Sequence, residues 1–200
     1  GLWIWDLPMN TERQPRIAHV IGFDDAPFTP DHVGPVKIVG AVYARLRFTG
    51  VLIGEIEKDG DDAAETLARL VSGSKFADNL HLIMLQGIAL GGFNVVDVFA
   101  LHERLALPIL VIARHQPNMT AIRDALLGQI PGGAQKWALL ERLGPMEPLR
   151  NVYVQRIGLT TAQATTVLRE FTIEGHIPEP LRTAHLIAGA LTNGESRGRT

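Results

Sequence analysis

Two apolar runs in the middle of the chain constrain its fold more than any other feature. They are LHLIML at 80–85 and LPILVIA at 107–113. Continuous apolar strands are typical of sheets whose two faces are both covered by other elements. The segment between the runs, GFNVVDVFALHERLA at 92–106, is predicted to be a helix. We therefore expect two buried strands joined by a crossover helix.

Three β-rich segments come before these runs, at 16–23 (RIAHVIGF), 36–48 (VKIVGAVYARLRF) and 51–57 (VLIGEIE). The second and third are separated only by Thr49-Gly50, which predicts the turn of a β-hairpin. The next segment, 61–74, has apolar residues at helical spacing. The order β-β-β-α-β-α-β predicts an α/β fold, a ribonuclease H-like mixed sheet flanked by helices.

The rest of the chain extends this pattern. Further helices are predicted at 119–130, 133–144, 160–172 and 178–191, and a last strand at 151–157. Two hundred residues with 46% apolar and 20% charged residues suit one globular domain. We expect residues 1–15 to form an N-terminal extension and residues 16–200 to form a single domain.

Composition excludes several classes of protein. The chain has no cysteine, so disulfides and thiolate metal sites are impossible. Its net charge of −2 is not that of a globally basic nucleic-acid coat, although a local basic patch stays open. No apolar run approaches the roughly 18 to 20 residues that span a bilayer, so no membrane association is expected. These features fit a cytoplasmic protein.

Polar side chains follow two of the predicted strands. Asp24 and Asp25 end the first strand, and Gln86 ends the strand at 80–85. In open α/β sheets, ligands bind just beyond the carboxyl ends of strands. A carboxylate there can hold Mg²⁺, which favours one or two carboxylates together with water and phosphate oxygens. The alternative is an aspartate pair that only begins a proline-rich turn.

A second acidic segment, EIEKDGDDAAE at 55–65, precedes the first helix. One or two of its acids, with Asp59 and Asp62 as candidates, could complete a metal site with Asp24. The alternative is a turn followed by a helix N-terminus, where acids are favoured by the helix dipole. The nearby Gly-bearing GGFN at 91–94 lacks a phosphate-loop pattern, and Asn94 is predicted to cap the following helix.

Basic residues near the end of the chain are candidates for binding phosphate. His185 lies in a partly apolar helical segment, where it could face a metal or serve as a hydrogen-bonded core histidine. Arg114, Arg182 and Arg197 could form a small phosphate-binding face. Scattered surface arginines are the alternative explanation. Covalent hydrolysis is disfavoured because GxSxG is absent.

Several strings, taken in order, resemble one family. They are VIGFDDAPF, KDGDDA, LIMLQGIALGGFNVVD, LPILVIAR, HIPEPLRTAHLIAGAL and GESRGR. From about residue 16 to the C-terminus, the chain resembles the endonuclease dU family, which is related to endonuclease V. The resemblance implies a ribonuclease H-like fold and a nuclease that uses Mg²⁺ or Mn²⁺ to cleave DNA near deaminated bases, deoxyuridine in particular.

The resemblance also implies a set of site residues. Asp24 holds metal with Asp25 as its paired acid, Asp62 is the second ligand with Asp59 as its alternative, and His185 faces the metal. The family pattern has an aspartate where this chain has Gln86. The amide keeps an oxygen donor but loses a negative charge, and ligand charge strongly tunes affinity for hard cations. A weakened site is therefore expected.

Two functions follow as expectations. In the first, the chain is a metal-dependent endonuclease in which His185 assists at the phosphate or water and Arg114 contacts backbone phosphate. In the second, the chain keeps the nuclease fold but is a non-catalytic nucleic-acid-binding or interaction protein. The missing acid at position 86 motivates the second.

Overall fold

A computed structural model describes residues 16–196 of the chain. Its strands are β1 (His19–Asp25), β2 (Pro35–Ala44), β3 (Arg47–Glu57), β4 (Leu82–Gln86), β5 (Ala89–Leu90), β6 (Asn94–Val95), β7 (Ile109–Ala113), β8 (Glu147–Leu149) and β9 (Val152–Ile157). Its helices are α1 (Ala63–Ser72), α2 (Val98–Leu105), α3 (Met119–Gln129), α4 (Gly133–Leu143), α5 (Thr161–Phe171) and α6 (Glu179–Asn193). Among these helices, none combines the length and apolar composition that crossing a membrane requires.

Seven strands form one mixed sheet in the order β3-β2-β1-β4-β7-β9-β8. The first three strands are an antiparallel meander, and β4 and β7 then add in parallel to β1. The last two strands run antiparallel to their neighbours. The sheet is mixed, as predicted, and β1 and β4 lie at its centre. The short β5 and β6 form a separate two-stranded ribbon between β4 and α2.

Apolar side chains from the central strands fill a core on each face of the sheet. Leu82 and Met84 pack with Phe171 of α5 and Leu181 of α6 on one face. Ile83 and Leu85 alternate with them and pack with residues of α1 and α2, Leu67 and Leu101 among them, on the other face. Both faces of β4 are thus covered, which is why its sequence is apolar without alternation.

The turn between β2 and β3 differs from the prediction. It lies at Arg45-Leu46, with Arg45 at a φ of 53°, and Thr49 and Gly50 belong to β3. A β-bulge beside Val42 shifts the register of the hairpin. Gly50 serves close packing instead of a turn, because a Cβ atom there would lie 2.2 Å from the Phe76 ring. The prediction was wrong because glycine marks either feature in a sequence.

The start of α2 also differs. The helix begins at Val98, and the Asp97 side chain caps it by accepting a 3.0 Å hydrogen bond from the Ala100 N–H. Asn94 lies in β6 and caps another helix, since its Oδ1 accepts from the N–H of Ala63, the first residue of α1. The prediction that Asn94 caps the following helix was therefore wrong, because Asn94 instead caps α1, 31 residues earlier in the chain.

Candidate active site

The carboxyl ends of β1 and β4 meet at one edge of the sheet. Phe23 pairs with Leu85 in the parallel ladder, so Asp24 and Gln86 follow at the same level. Both side chains line an open cleft of about 840 Å³. The cleft is also lined by Asp25, Phe28, Arg114, Glu174, His176, Arg182 and His185. Strand ends, the loop after α5 and one side of α6 together form its walls.

Asp24 is the most buried acid of the cleft, with 5% of its surface exposed. Its Oδ2 lies 3.0 Å from Nδ1 of His185, and its Oδ1 accepts a 2.8 Å hydrogen bond from the Asp25 N–H. The His185 side chain is 58% exposed toward the cleft. The hydrogen bond to Asp24 raises the pKa of His185, although burial and the charge of Arg114 oppose it. His185 therefore holds its proton more strongly than an ordinary histidine.

The Asp25 side chain is hydrogen-bonded to the turn that joins β5 and β6. Its Oδ2 accepts a 2.6 Å hydrogen bond from the Gly91 N–H. Burial, and then the negative charge of Asp24, raise the pKa of Asp25 from 3.8 to about 7. Two carboxylates on adjacent residues are thus kept in one poorly solvated place. Such an arrangement is costly for stability and is common at functional sites.

Gln86 lies half-buried beside these acids at the end of β4. The backbone turns directly after it, because Gly87 has a φ of 76° and its N–H donates to the Ile112 carbonyl at 2.9 Å. Within residues 16–196, the Gln86 side chain makes no hydrogen bond that fixes the amide. Its oxygen is available to a ligand in the cleft.

Asp59 and Asp62 belong to a different group of contacts, which we call the loop network: Glu57, Asp59, Gly60, Asp62, Phe93, Asn94 and Lys136. Asp62 Oδ1 accepts from the Glu57 N–H at 3.1 Å and from Asn94 Nδ2 at 2.7 Å. Asp59 Oδ1 accepts from the Phe93 N–H at 2.7 Å. Neither carboxylate is among the residues that line the cleft. The structure brings Asp24, Asp25, Gln86 and His185 together and places Asp59 and Asp62 in this neighbouring network.

Lys136 of α4 is the centre of the loop network and is only 7% exposed. Its ammonium group donates to the carbonyls of Asp59, Gly60 and Phe93 at 2.9, 2.6 and 2.8 Å. Burial lowers its pKa, against the nearby charges of Asp59 and Asp61. Lys136 was not among the residues predicted from the sequence. The available signal was its spacing from Gly133 and Leu140, which places a lysine on the buried face of α4.

Most of the chain matches one known protein family. A family profile described as endonuclease dU matches residues 16–192. This chain belongs to the endonuclease dU family. Its relatives include a UPF0215 protein of Deinococcus radiodurans, 54% identical over 194 residues that cover 96% of this chain and 99% of that protein. A UPF0215 protein of Methanothermobacter thermautotrophicus is 40% identical over 183 residues, covering 90% of each chain.

Solved structures confirm the ribonuclease H-like fold. A protein of unknown function from Archaeoglobus fulgidus aligns with a TM-score of 0.81 and 32% identity over 87% of this chain and 98% of that one. Endonuclease V of Ciona intestinalis aligns with a TM-score of 0.53 and 12% identity over 84% and 83% of the two chains. Human endonuclease V gives 0.51 and 15% over 86% and 83%. This endonuclease dU family member therefore has a nuclease fold.

The arginines predicted to bind phosphate have different surroundings in this endonuclease dU family member. Arg114, just after β7, lines the cleft. Arg182 also lines it, but its guanidinium group donates to both carboxylate oxygens of the buried Glu179, at 2.8 and 3.0 Å. Arg197 lies outside the described residues. Arg114 is thus better placed than Arg182 to meet a new anionic ligand.

The oxygen donors at the edge of the sheet suit a hard divalent cation. Asp24 and Asp25 supply two carboxylates and Gln86 an amide oxygen, and Mg²⁺ binds commonly through one or two carboxylates with water and phosphate oxygens. Burial, and then the charge of Asp24, raise the pKa of Asp25, and a bound cation would offset both effects. Within residues 16–196, no three His, Cys, Asp or Glu side chains are grouped to hold a metal ion. A metal at this place would therefore be held by fewer than three such side chains, with the Gln86 oxygen, water or phosphate completing its ligands.

Proposed function

We propose that this protein is a divalent-metal-dependent endonuclease that cleaves DNA near deaminated bases, deoxyuridine in particular. The observation that carries the proposal is the buried Asp24, bonded to His185 and adjacent to Asp25, at the floor of an open cleft. The cleft lies at the carboxyl ends of adjacent parallel strands, where α/β proteins usually bind ligands. Family membership supports the same function.

His185 is the residue best placed to handle a proton. Its Nδ1 is engaged by Asp24, which fixes the ring and leaves Nε2 for the substrate. Because Asp24 raises the pKa of His185, the ring favours its protonated form. A protonated Nε2–H can donate to a phosphate oxygen or to the oxygen that leaves when the P–O bond breaks. Asp24 therefore has two roles, as a metal ligand and as the partner that orients His185.

Asp24, Asp25 and the Gln86 amide oxygen are the groups that would hold Mg²⁺ or Mn²⁺. A bound divalent cation stabilises negative charge on phosphate and lowers the pKa of a bound water molecule. Arg114 adds positive charge to the same cleft and would contact a backbone phosphate. Gln86 contributes a neutral donor, so affinity for the metal is expected to be lower than with a third carboxylate.

DNA is the proposed substrate because of the fold and the cleft. One endonuclease V structure with this fold contains DNA with an inosine followed by a ribo-adenosine. The cleft here is open along one side, which suits a long polymer better than an enclosed pocket would. Because the net charge of the chain is −2, attraction for phosphate has to come from local positive charge, which Arg114 and His185 supply in the cleft.

Cleavage of defined oligonucleotides tests the proposal. Uracil-containing, hypoxanthine-containing and undamaged DNA strands are incubated with the protein and Mn²⁺ or Mg²⁺. We expect cleavage of the uracil strand, loss of cleavage in Asp24→Ala, and faster cleavage in Gln86→Asp. Asp124→Ala, an exposed acid on α3, is the matched control and should cleave like wild type. If wild type and Gln86→Asp both leave every strand intact, the protein is not this nuclease.

A second candidate is a non-catalytic nucleic-acid-binding protein with this fold. The observation that favours it is the neutral Gln86 beside two acids that repel each other. Calorimetric titration with Mg²⁺ and Mn²⁺ separates the two functions. Saturable binding that Asp24→Ala removes supports the nuclease. DNA binding without such metal binding, and without cleavage, supports the second candidate.

A further inference from the structure

A second groove, of about 450 Å³, opens beside the cleft and shares residues with it. We call it the side groove. Ala26, Pro27, Phe28 and Asn193 line both spaces. Phe28 lies at the border between the cleft and the side groove, because it lines both spaces. It comes four residues after Asp24 in the chain. A strand of nucleic acid with a phosphate in the cleft would have a neighbouring nucleotide within reach of this border.

The loop that carries Phe28 is firmly held. Lys58 Nζ donates to the carbonyls of Pro30 and His32, at 2.6 and 3.1 Å. His32 Nε2 lies 3.0 Å from the carbonyl oxygen of Pro35 and closes the other end of the loop. These contacts order the loop before a ligand arrives, so little conformational entropy would be lost when a base packs against the ring.

The chemistry around Phe28 suits a nucleobase. The ring is half-exposed, the Lys58 ammonium lies 5.7 Å from its centroid, and the His32 ring lies 6.2 Å away. The tip of the ring lies beside Gly92, since a Cβ atom there would be 3.6 Å from Phe28 Cζ, an ordinary van der Waals distance. Aromatic side chains beside basic groups are the usual platform on which unstacked bases are bound. The side groove also offers Thr29, Thr192 and Asn193 for hydrogen bonds to a base edge.

We propose that Phe28 is a stacking platform for an unpaired base of the DNA strand, next to the phosphate that His185 and Arg114 contact in the cleft, and that the side groove receives this base. The inference rests on the proposed function, because DNA must enter the cleft. It adds a binding residue and a binding place that the metal-site chemistry does not require. Lys58 acts as a positioning residue, since it holds the loop and lies near the ring.

The test measures binding without chemistry. Fluorescence anisotropy with single-stranded uracil-containing DNA gives the Kd of wild type and variants, with Ca²⁺ as the only divalent cation and, separately, with a metal chelator. We expect Phe28→Ala to weaken binding by roughly 5- to 100-fold, the range of one base–aromatic stack. Phe28→Trp should retain binding. Phe48→Ala removes another exposed phenylalanine, on the edge strand β3, and should bind like wild type.

A cycle with abasic DNA distinguishes stacking from a folding defect. Each base of the oligonucleotide is removed in turn, and the strands are bound to wild type and Phe28→Ala. If Phe28 stacks on one base, its removal weakens wild type but has no further effect on Phe28→Ala. Phe28→Leu preserves apolar volume, so it should keep the melting temperature of wild type and still lose affinity. A 2-aminopurine at the identified position should gain fluorescence on binding wild type, as it leaves the neighbouring bases, and should gain less on binding Phe28→Leu.

The outcomes separate the two proposals. If wild type binds DNA and Phe28→Ala and Phe28→Leu bind it equally well, the stacking platform is wrong and the proposed nuclease stands. Stacking is also contradicted if, at every abasic position, the loss of affinity from base removal simply adds to the loss from Phe28→Ala. If wild type binds no DNA under any of these conditions, both proposals fail together.

Discussion

Two groups of acids lie near each other in this protein, and their surroundings differ. In the loop network, Asp59 and Asp62 accept hydrogen bonds from backbone and amide N–H groups, and the Lys136 ammonium lies among the same loops. In the cleft, Asp24 and Asp25 are adjacent in β1, and burial, followed by the charge of Asp24, raises the pKa of Asp25. Satisfied carboxylates stabilise a fold, whereas carboxylates that repel cost stability and are kept where a ligand compensates them.

The comparison predicts that the first group matters for stability and the second for activity. Asp24→Asn should reduce DNA cleavage by about 1000-fold, or ~4 kcal/mol of transition-state stabilisation, because a metal ligand and the partner of His185 both change. The melting temperature should stay the same or rise, since the repulsion with Asp25 disappears. Thermal unfolding and single-turnover cleavage measure both effects. A variant that cleaves normally would place the reaction elsewhere.

A pH series extends the comparison to Asp25. Its pKa is about 7 in the folded protein and 3.8 as a free side chain, so the protonated form is favoured by folding. The contribution of Asp25 to stability is therefore complete below pH 3.8 and is lost as pH rises to about 7. Each pKa unit corresponds to ~1.4 kcal/mol, which gives an upper limit of about 4 kcal/mol.

The measurement is the difference in unfolding free energy between wild type and Asp25→Asn across this range. Asparagine keeps an acceptor for the Gly91 N–H and does not ionise. Asp24, which acts on the pKa of Asp25, remains in the variant, as do Arg114 and His185 in the same cleft. As pH rises, the unfolding free energy of Asp25→Asn is expected to increase relative to that of wild type. Mg²⁺ should make this difference smaller, because it stabilises wild type when Asp25 is ionised. A constant difference would show that Asp25 is not perturbed.

Lys136→Met tests the loop network. Methionine fills a similar space but leaves the carbonyls of Asp59, Gly60 and Phe93 without the ammonium donor. Buried polar groups that lose their partner cost about 1–3 kcal/mol each, so a loss of about 3 kcal/mol in unfolding free energy is expected. Denaturant unfolding measures it. Lys75→Met, at an exposed lysine, should change the free energy by no more than a few tenths.

These differences also explain what the sequence could predict. Asp24 and Gln86 end apolar strands, and the rule that strand ends of a parallel pair share an edge places them together without a structure. The roles of Asn94 and Lys136 depend on loops 31 and 43 or more residues away, and no local spacing encodes such contacts. The β2–β3 turn was misplaced because Gly50 has a packing reason for its small size.

The same limit on prediction from sequence applies to Asp59 and Asp62 as candidate site residues. An acid before the first helix looks alike whether it binds metal or a backbone N–H, and their assignment as metal ligands stays a prediction. Their carboxylate oxygens already accept hydrogen bonds from Phe93, Glu57 and Asn94, and they lie outside the lining of the cleft. Only the three-dimensional partners separate the two roles.

Asp59→Asn is the smallest expected effect and the closest match to Asp25→Asn. Asp59 has a φ of 55°, a conformation that asparagine adopts readily, and an asparagine oxygen can still accept from the Phe93 N–H. We expect a change in unfolding free energy within about 0.5 kcal/mol at every pH, and unchanged cleavage of uracil-containing DNA. Loss of Mg²⁺ binding in this variant, measured by calorimetry, would instead show that Asp59 is a metal ligand and that the two acidic groups act as one site.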